Sequence, residues 1–324
     1  MNDNLLIKMF KNIGIIGAGA MGSAIAEVFA YNEFNVVLKD VNMDFATRGL
    51  KHIEKIVDDY NSYYERLPER EVSRIERMGL KLSLEQKEKI NNYFSHKIDK
   101  NDLEKRIKIT DKYEDLSKCD LVIEAAFEKQ EIKNGIFKEI SGYLSDDAIM
   151  ATNTSSLSVT EMASYYKNPK KVILMHFFNP PYTLPLVEIA PSTQGSDDAA
   201  KQAYDLLKGM KNHRNNMQPV MTRDKTGFIV NRILLQVINE AIKVYDENIA
   251  TKEDIDTAMK YGAGFPMGPF ELADYVGLDI VYDVLKTFKD VYGDRFNLSE
   301  TLTNLIRAGY MGRKSGRGFY DYTK

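Results

Sequence analysis

Residues 12–40 set a glycine-rich turn between two apolar runs, and this constrains the fold more than any other part of the chain. NIGII (12–16) reads as a buried strand, and GAGAMG (17–22) as a turn opening a helix that runs to about Tyr31. NVVLK (35–39) then reads as a second strand ending at Asp40. A helix between two strands carries the chain back across the sheet, so the strands pair in parallel. Gly17, Gly19 and Gly22 fit G-x-G-x-x-G. The first glycine allows the tight turn, the second lets backbone approach a pyrophosphate, and the third lets helix pack on strand. A bare motif of this kind is weak, and an ordinary glycine turn is the plain alternative. Its setting strengthens it: strand before, helix after, and an acid, Asp40, 23 residues beyond Gly17. The expected phosphate-facing residues are Gly17, Gly19, Ala20, Met21 and Gly22, at a helix N-terminus. A carboxylate at position 40 accepts from a ribose 2′-hydroxyl and repels a 2′-phosphate. Val41 and Asn42 add no positive charge, so NAD is expected over NADP.

The alternation continues. Helical periodicity runs through 43–66, and 68–105 is dense in mixed charge with recurring apolar residues, the pattern of exposed helices. Strands are expected at 106–110, 119–126, 148–153, 171–178, 185–190 and 218–222, and helices at 129–143 and 197–210. CDLVIEAA (119–126) is apolar enough to be covered on both faces. After that only helices follow, at 226–247, 252–260, 269–290 and 298–308. The expected fold class is α/β: a Rossmann-like doubly wound sheet domain followed by an all-helical C-terminal domain. The boundary falls near TRDKTG (222–227), giving domains 1–222, with a long helical insert at about 64–100, and 223–324.

Composition narrows the function classes. The chain has 324 residues, 44% of them hydrophobic, which suits two domains with a sizeable core. Its net charge of −3 gives no basic excess for nucleic acid or an acidic membrane surface. One cysteine, Cys119, excludes an internal disulfide and any cysteine-rich metal site. No apolar stretch approaches the ~20 residues of a membrane span. A cytoplasmic protein is expected, with the residues ahead of the first strand an extension and Met9 an alternative start.

Of four histidines, His52 lies in a charged helix, His96 in the polar insert and His213 in the turn KNHRNN. His176, in KVILMHFFN, ends a strand, and ligands of open α/β sheets bind beyond the carboxyl ends of strands. Glu188 follows twelve residues later in PLVEI. A histidine oriented by a carboxylate works as a base near neutral pH. Taken alone, His176 reads equally as a core histidine and Glu188 as a solvent-facing acid. Ser155 in TNTSSL reads as a turn or helix-cap residue, and Asn231 in GFIVNR as a polar residue on an apolar helix.

Together these segments resemble the L-3-hydroxyacyl-CoA dehydrogenase family, especially the short bacterial 3-hydroxybutyryl-CoA dehydrogenases. GAGAMG, VIEAAFEKQEIK, ATNTSSLSVTEMA, MHFFNP, LVEI, GFIVNR, EDIDTAMKYGAG, PMGPFELADYVGLD and GRKSGRGFYDY match in order, from about residue 12 onward. The resemblance implies reversible NAD-dependent oxidation of a 3-hydroxyacyl thioester, with His176 as base and Glu188 as its partner. It implies that Ser155 and Asn231 contact the substrate, Ser155 also lying near the nicotinamide. It implies that Glu128, Lys133 and Asn179 line the cofactor, and that a homodimer forms largely through the helical domain.

The departures flank the substrate. The family's coenzyme A clamp, a polar residue and a lysine, falls here on Ile56 and Tyr63, with Arg66, Arg70 and Lys81 as replacement candidates. Tyr182 and Pro185 alter the segment after HFFNP, and 212–218 carries a short asparagine-rich insertion. An NAD-dependent dehydrogenase of a 3-hydroxy acid free of coenzyme A is therefore the alternative. A binding protein that keeps the fold without activity is opposed by the joint presence of Ser155, His176, Glu188 and Asn231.

Overall fold

The structure, a computed structural model, describes residues 10–94 and 96–323. The extension with Met9 lies outside the described residues. Two compact units divide the chain, Met1–Asp224 and Lys225–Lys324.

The first unit is built on an eight-stranded sheet in the order β3-β2-β1-β4-β5-β6-β7-β8. The strands are β1 (Asn12–Ile16), β2 (Asn35–Lys39), β3 (Ile107–Thr110), β4 (Leu121–Glu124), β5 (Ile149–Thr152), β6 (Val172–Phe177), β7 (Leu186–Pro191) and β8 (Gln218–Met221). β1 to β6 pair in parallel, β7 runs antiparallel to β6, and β8 is parallel to β7. β4, β5 and β6 are buried at every residue, as sheets covered on both faces require. The reversal of β7 follows from its link: residues 178–185 are too few for a crossover helix, so the chain turns back beside β6.

Helix α1 (Ala20–Tyr31) packs its small residues against the sheet, and Phe29 sits edge-on to Phe34 and Phe177 with ring centroids 5.7 and 6.4 Å away. Helix α2 runs from Met43 to Arg77, 35 residues, continuing past Pro68 where the sequence pattern suggested a break. Asn42 caps its start by accepting from the Phe45 N–H at 3.0 Å. Its first half buries Ile53, Ile56 and Val57. The insert continues with α3 (Leu84–Phe94), which buries nothing, and α4 (Lys100–Lys105). Asn61 holds the returning chain by two hydrogen bonds with the Ile98 backbone, at 2.8 and 3.0 Å. The remaining helices of this unit are α5 (Gln130–Ile140), a short α6 (Val159–Ala163) that the sequence pattern missed, and α7 (Asp197–Lys208).

The second unit holds α8 (Val230–Asp246), α9 (Lys252–Gly262), α10 (Pro269–Val276), α11 (Leu278–Tyr292) and α12 (Glu300–Arg307). The single helix expected at 269–290 is two, because Gly277 adopts φ +104°, a conformation that ends a helix. Phe270, Leu285, Phe288 and Phe296 are fully buried at its centre. The C-terminal GFYDY segment is latched by one carboxylate. Asp274, 1% exposed, accepts from Phe319 N, Tyr320 N and the Tyr322 hydroxyl at 2.9, 2.9 and 3.1 Å. Replacing Asp274 with Ala strands these donors, and urea denaturation is expected to show a loss of about 2–4 kcal/mol.

Candidate active site

The candidate residues of the sheet unit gather at the carboxyl ends of its strands. Gly17 follows β1, Asp40 follows β2, Glu124 ends β4, Thr152 ends β5, and His176 is the penultimate residue of β6. Strand ends at this edge are where an open α/β sheet presents a ligand site.

The glycine turn fits a dinucleotide. Gly17 sits at φ +103°, where a Cβ would lie 2.7 Å from the Ala125 carbonyl oxygen. A Cβ on Gly22 would come 1.7 Å from the Gly17 carbonyl oxygen, so only glycine lets α1 start this close to the turn. A Cβ on Gly19 would meet nothing within 4 Å. That open face precedes the first turn of α1, where Ala20 and Met21 lie and no side chain caps the N–H groups. Asp40 Oδ2 accepts from Ala18 N and Oδ1 from Val41 N, both at 2.6 Å. The carboxylate thereby ties β2 to the turn, and its remaining lone pairs suit ribose hydroxyls.

Beside the turn lies an ionic cluster, buried at Glu124 and Lys133 and open at Glu128, whose side chain is 39% exposed; Glu124, Thr152 and Thr154 are additions the sequence motifs did not mark. Lys133 on α5 is 1% exposed and lies 2.7 Å from Glu124 Oε1, with Glu124 fully buried. Glu124 Oε2 accepts from Thr152 Oγ1 at 2.6 Å, across a register that sets 124 opposite 152. Lys133 also lies 3.3 Å from Glu128 Oε2. Glu128 Oε1 accepts from Thr154 Oγ1 at 2.6 Å, Ser155 N at 2.9 Å and Ser155 Oγ at 3.2 Å. Ser155 is thus not a helix cap; Ser158 caps α6. Burial works against the charge on Glu128, but the Lys133 ammonium and these hydrogen bonds outweigh it and hold its carboxyl below the usual glutamate range. Asn179 is exposed, two residues past β6.

His176 and Glu188 face each other across the antiparallel β6–β7 pairing, as direct register partners. The His176 Nδ1 to Glu188 Oε2 distance is 2.8 Å, with side-chain exposures of 8% and 0%. Glu188 is therefore no surface acid, and His176 is partnered within the sheet. Phe178 lies 4.6 Å from the imidazole, centroid to centroid, and Asn153 Oδ1 accepts from Phe177 N at 2.8 Å, pinning the strand end. A carboxylate accepting at Nδ1 keeps the proton there and leaves Nε2 as the basic atom. Asn231 belongs to the other unit, half-buried in the first turn of α8. Of the clamp positions, Ile56 is buried and Tyr63 is 45% exposed, while Arg66, Arg70 and Lys81 are exposed. His213, set aside by its polar turn, is buried and paired with Glu27 at 2.8 Å. Neither the turn nor α1 carries a local signal for that pair.

A dinucleotide turn and a carboxylate-held imidazole at one sheet edge define a nicotinamide-dependent alcohol dehydrogenase. The profile of the 3-hydroxyacyl-CoA dehydrogenase NAD binding domain matches residues 12–224, and that of the 3-hydroxyacyl-CoA dehydrogenase C-terminal domain matches 227–322. The 3-hydroxybutyryl-CoA dehydrogenase of Clostridioides difficile is 37% identical over 96% of this chain and 99% of its own. The mitochondrial hydroxyacyl-coenzyme A dehydrogenase of Homo sapiens is 34% identical over 96% and 91%. The crystal structure of (S)-3-hydroxybutyryl-CoA dehydrogenase PaaH1 from Ralstonia eutropha superposes with a TM-score of 0.80 at 33% identity, covering 97% of this chain and 100% of that one. The chain belongs to the 3-hydroxyacyl-CoA dehydrogenase family, and its cofactor is NAD.

The Glu128 carboxyl, lowered in the folded state from about 4.3 in the unfolded chain, contributes stability that is complete above about pH 5 and lost as pH falls through its folded value. Glu128→Gln is expected to be less stable than the wild type at pH 7, with the gap closing on acidification in a urea series.

Proposed function

We propose that this enzyme interconverts a (3S)-3-hydroxyacyl-CoA and its 3-ketoacyl-CoA, with a short chain such as 3-hydroxybutyryl. The observation that carries the reading is the buried His176–Glu188 pair on the sheet edge that also bears the glycine turn. Bound NAD supplies the hydride acceptor for oxidation and, reduced, the donor for the reverse. In oxidation His176 Nε2 takes the hydroxyl proton, and Glu188 stabilises the imidazolium that results. In reduction His176 starts protonated and returns that proton to the forming alkoxide. Ser155, whose hydroxyl donates to Glu128 Oε1, has a substrate contact as the role carried over from the family resemblance. For Asn231 a contact to the substrate oxygens is the role carried over from the family resemblance. A cytoplasmic place of action is part of the same proposal; among the described residues no helix is long and apolar enough to cross a membrane.

General acid–base help of this kind is worth about 10²–10⁴ in rate. His176→Gln is expected to lose that factor in turnover while NAD affinity, followed by fluorescence titration, stays at the wild-type value. Wild-type turnover in the variant would remove His176 from the mechanism.

A second reading, a 3-hydroxy acid free of coenzyme A, is favoured by one observation: buried Ile56 and the phenol of Tyr63 stand where the family places a polar residue and a lysine. Assays of 3-hydroxybutyryl-CoA beside the free acid separate the two. We further propose a homodimer formed through the helical unit. In support, Ile233, Tyr261, Tyr275, Ile280 and Val291 of that unit are 49–85% exposed, large apolar side chains of the kind subunit contacts cover. Light scattering after gel filtration is expected to give twice the 37.0 kDa chain mass.

A further inference from the structure

A cavity of about 750 Å³ opens where α1 ends, lined by Tyr31, Tyr60, Tyr64, His96, Lys211 and Arg214 with the residues between them. From Ala20 to Tyr31 the helix rises about 16 Å, so the cavity stands well away from the glycine turn. Nothing in the reaction described above uses it.

Beneath it is the His213–Glu27 pair, both residues buried, with Glu27 Oε2 lacking a partner among the described residues. Around His213 the rings form a continuous wall. Tyr31 meets it edge-on at 5.2 Å and Tyr60 lies tilted at 4.5 Å; Tyr64 follows 4.4 Å from Tyr60, and His96 6.1 Å from Tyr64. On the rim, Lys97 and Arg106 are already paired with Glu65 and Asp102. Lys211, at the edge of the asparagine-rich insertion, and Arg214 within it flank buried His213 and are exposed. Neither has a carboxylate partner among the described residues; the Lys211 ammonium lies 5.6 Å from the Tyr31 ring centre. Their backbone is fixed. Asn32 exchanges two hydrogen bonds with Lys211, at 2.7 and 2.9 Å, and Asn212 accepts from Arg214 N at 3.0 Å while donating to the Pro181 carbonyl at 3.0 Å. Glu33, also on the rim, offers an acceptor of the kind an exocyclic amine needs.

Aromatic faces bind a base by stacking whatever its sequence, and lysine and arginine bind phosphate by charge-assisted hydrogen bonds. The volume falls within that of small-molecule sites. We propose that this cavity binds a phosphorylated purine nucleoside, the base against the tyrosine wall and the phosphate between Lys211 and Arg214. Two sources share that chemistry: the adenosine 3′-phosphate end of a coenzyme A thioester, and a free nucleotide. The first rests on the function proposed above. It supplies from the insertion and its edge the cations that Ile56 and Tyr63 lack. Ile56, Tyr60 and Tyr63 fall at i, i+4 and i+7, on one face of α2.

The test compares the full-length chain with a Lys211→Glu/Arg214→Glu variant, both saturated with NAD so that the cofactor site is closed to competing nucleotides. Thermal unfolding confirms that the variant folds. Calorimetric titration with 3′,5′-ADP is expected to show binding by the wild type, weakened roughly ten- to a hundredfold in the variant. KM for 3-hydroxybutyryl-CoA is expected to rise by a similar factor at unchanged kcat, while the N-acetylcysteamine thioester of the same hydroxy acid, which has no nucleotide, is oxidised equally by both. Loss of 3′,5′-ADP binding without a change in that KM assigns the cavity to a free nucleotide. A wild type that binds neither 3′,5′-ADP nor AMP, or a variant that binds them as well as the wild type does, overturns the proposal. Failure of the wild type to turn over any thioester sinks the function proposed above but leaves the titration standing.

Discussion

One antiparallel pairing governs the chemistry of this chain. Six strands of the sheet run in parallel, and parallel neighbours deliver their last residues to one edge. None of them brings a second side chain directly opposite His176 on the same face. The turn at 178–185 reverses β7, and register then sets Glu188 against His176. A slip of one residue would point Glu188 to the other face of the sheet. The buried run of β6 and β7, with Val187 and Ile189 fully buried beside Glu188, fixes that register by hydrophobic burial. The acid is thus held by the core, and the imidazole is held by the acid.

The neighbouring strand ends repeat this logic with a second set of charges. Two carboxylates, Glu124 and Glu128, share the ammonium of Lys133, and threonine and serine hydroxyls fill the remaining acceptor sites. Removing a charge from water is costly, and such a group persists only when its hydrogen bonds are nearly complete. Completeness also immobilises it. The Ser155 loop is anchored at its backbone and its side chain by one carboxylate oxygen.

Much of this was legible in the sequence, and the exceptions have physical causes. Strands β4 and β6 stand out because fully buried strands need nearly uninterrupted apolar runs, and the glycine turn because no other residue survives at φ +103° or 1.7 Å from a carbonyl. His176, Ser155 and Asp40 follow from position at strand ends. The break at Gly277 was hidden because a lone glycine inside an apolar period costs little until its φ turns positive. The passage of α2 through Pro68 was hidden because proline lacks the N–H that continues a helix, and whether a helix runs past one depends on what it packs against. His213 and Glu27 are 186 residues apart. A pair made by tertiary folding leaves no periodic mark, and an asparagine-rich turn reads as solvent-facing whether or not one of its side chains plunges inward.

The long second helix divides its labour along its length. At about 1.5 Å per residue it extends for roughly 50 Å, yet apart from Pro68 its buried side chains lie in the first fifteen residues, and the α3 segment beyond buries none. The outer arm is therefore held by half-buried side chains such as Val72, Ile75, Leu82 and Ile90, and solvent-screened ion pairs such as Lys87–Glu76 add little. With so few buried apolar contacts, such an arm is expected to open at a lower free energy than the sheet that carries the imidazole. Its surface is free to drift in sequence, or to acquire a new attachment, with little consequence for the chemistry at the strand ends.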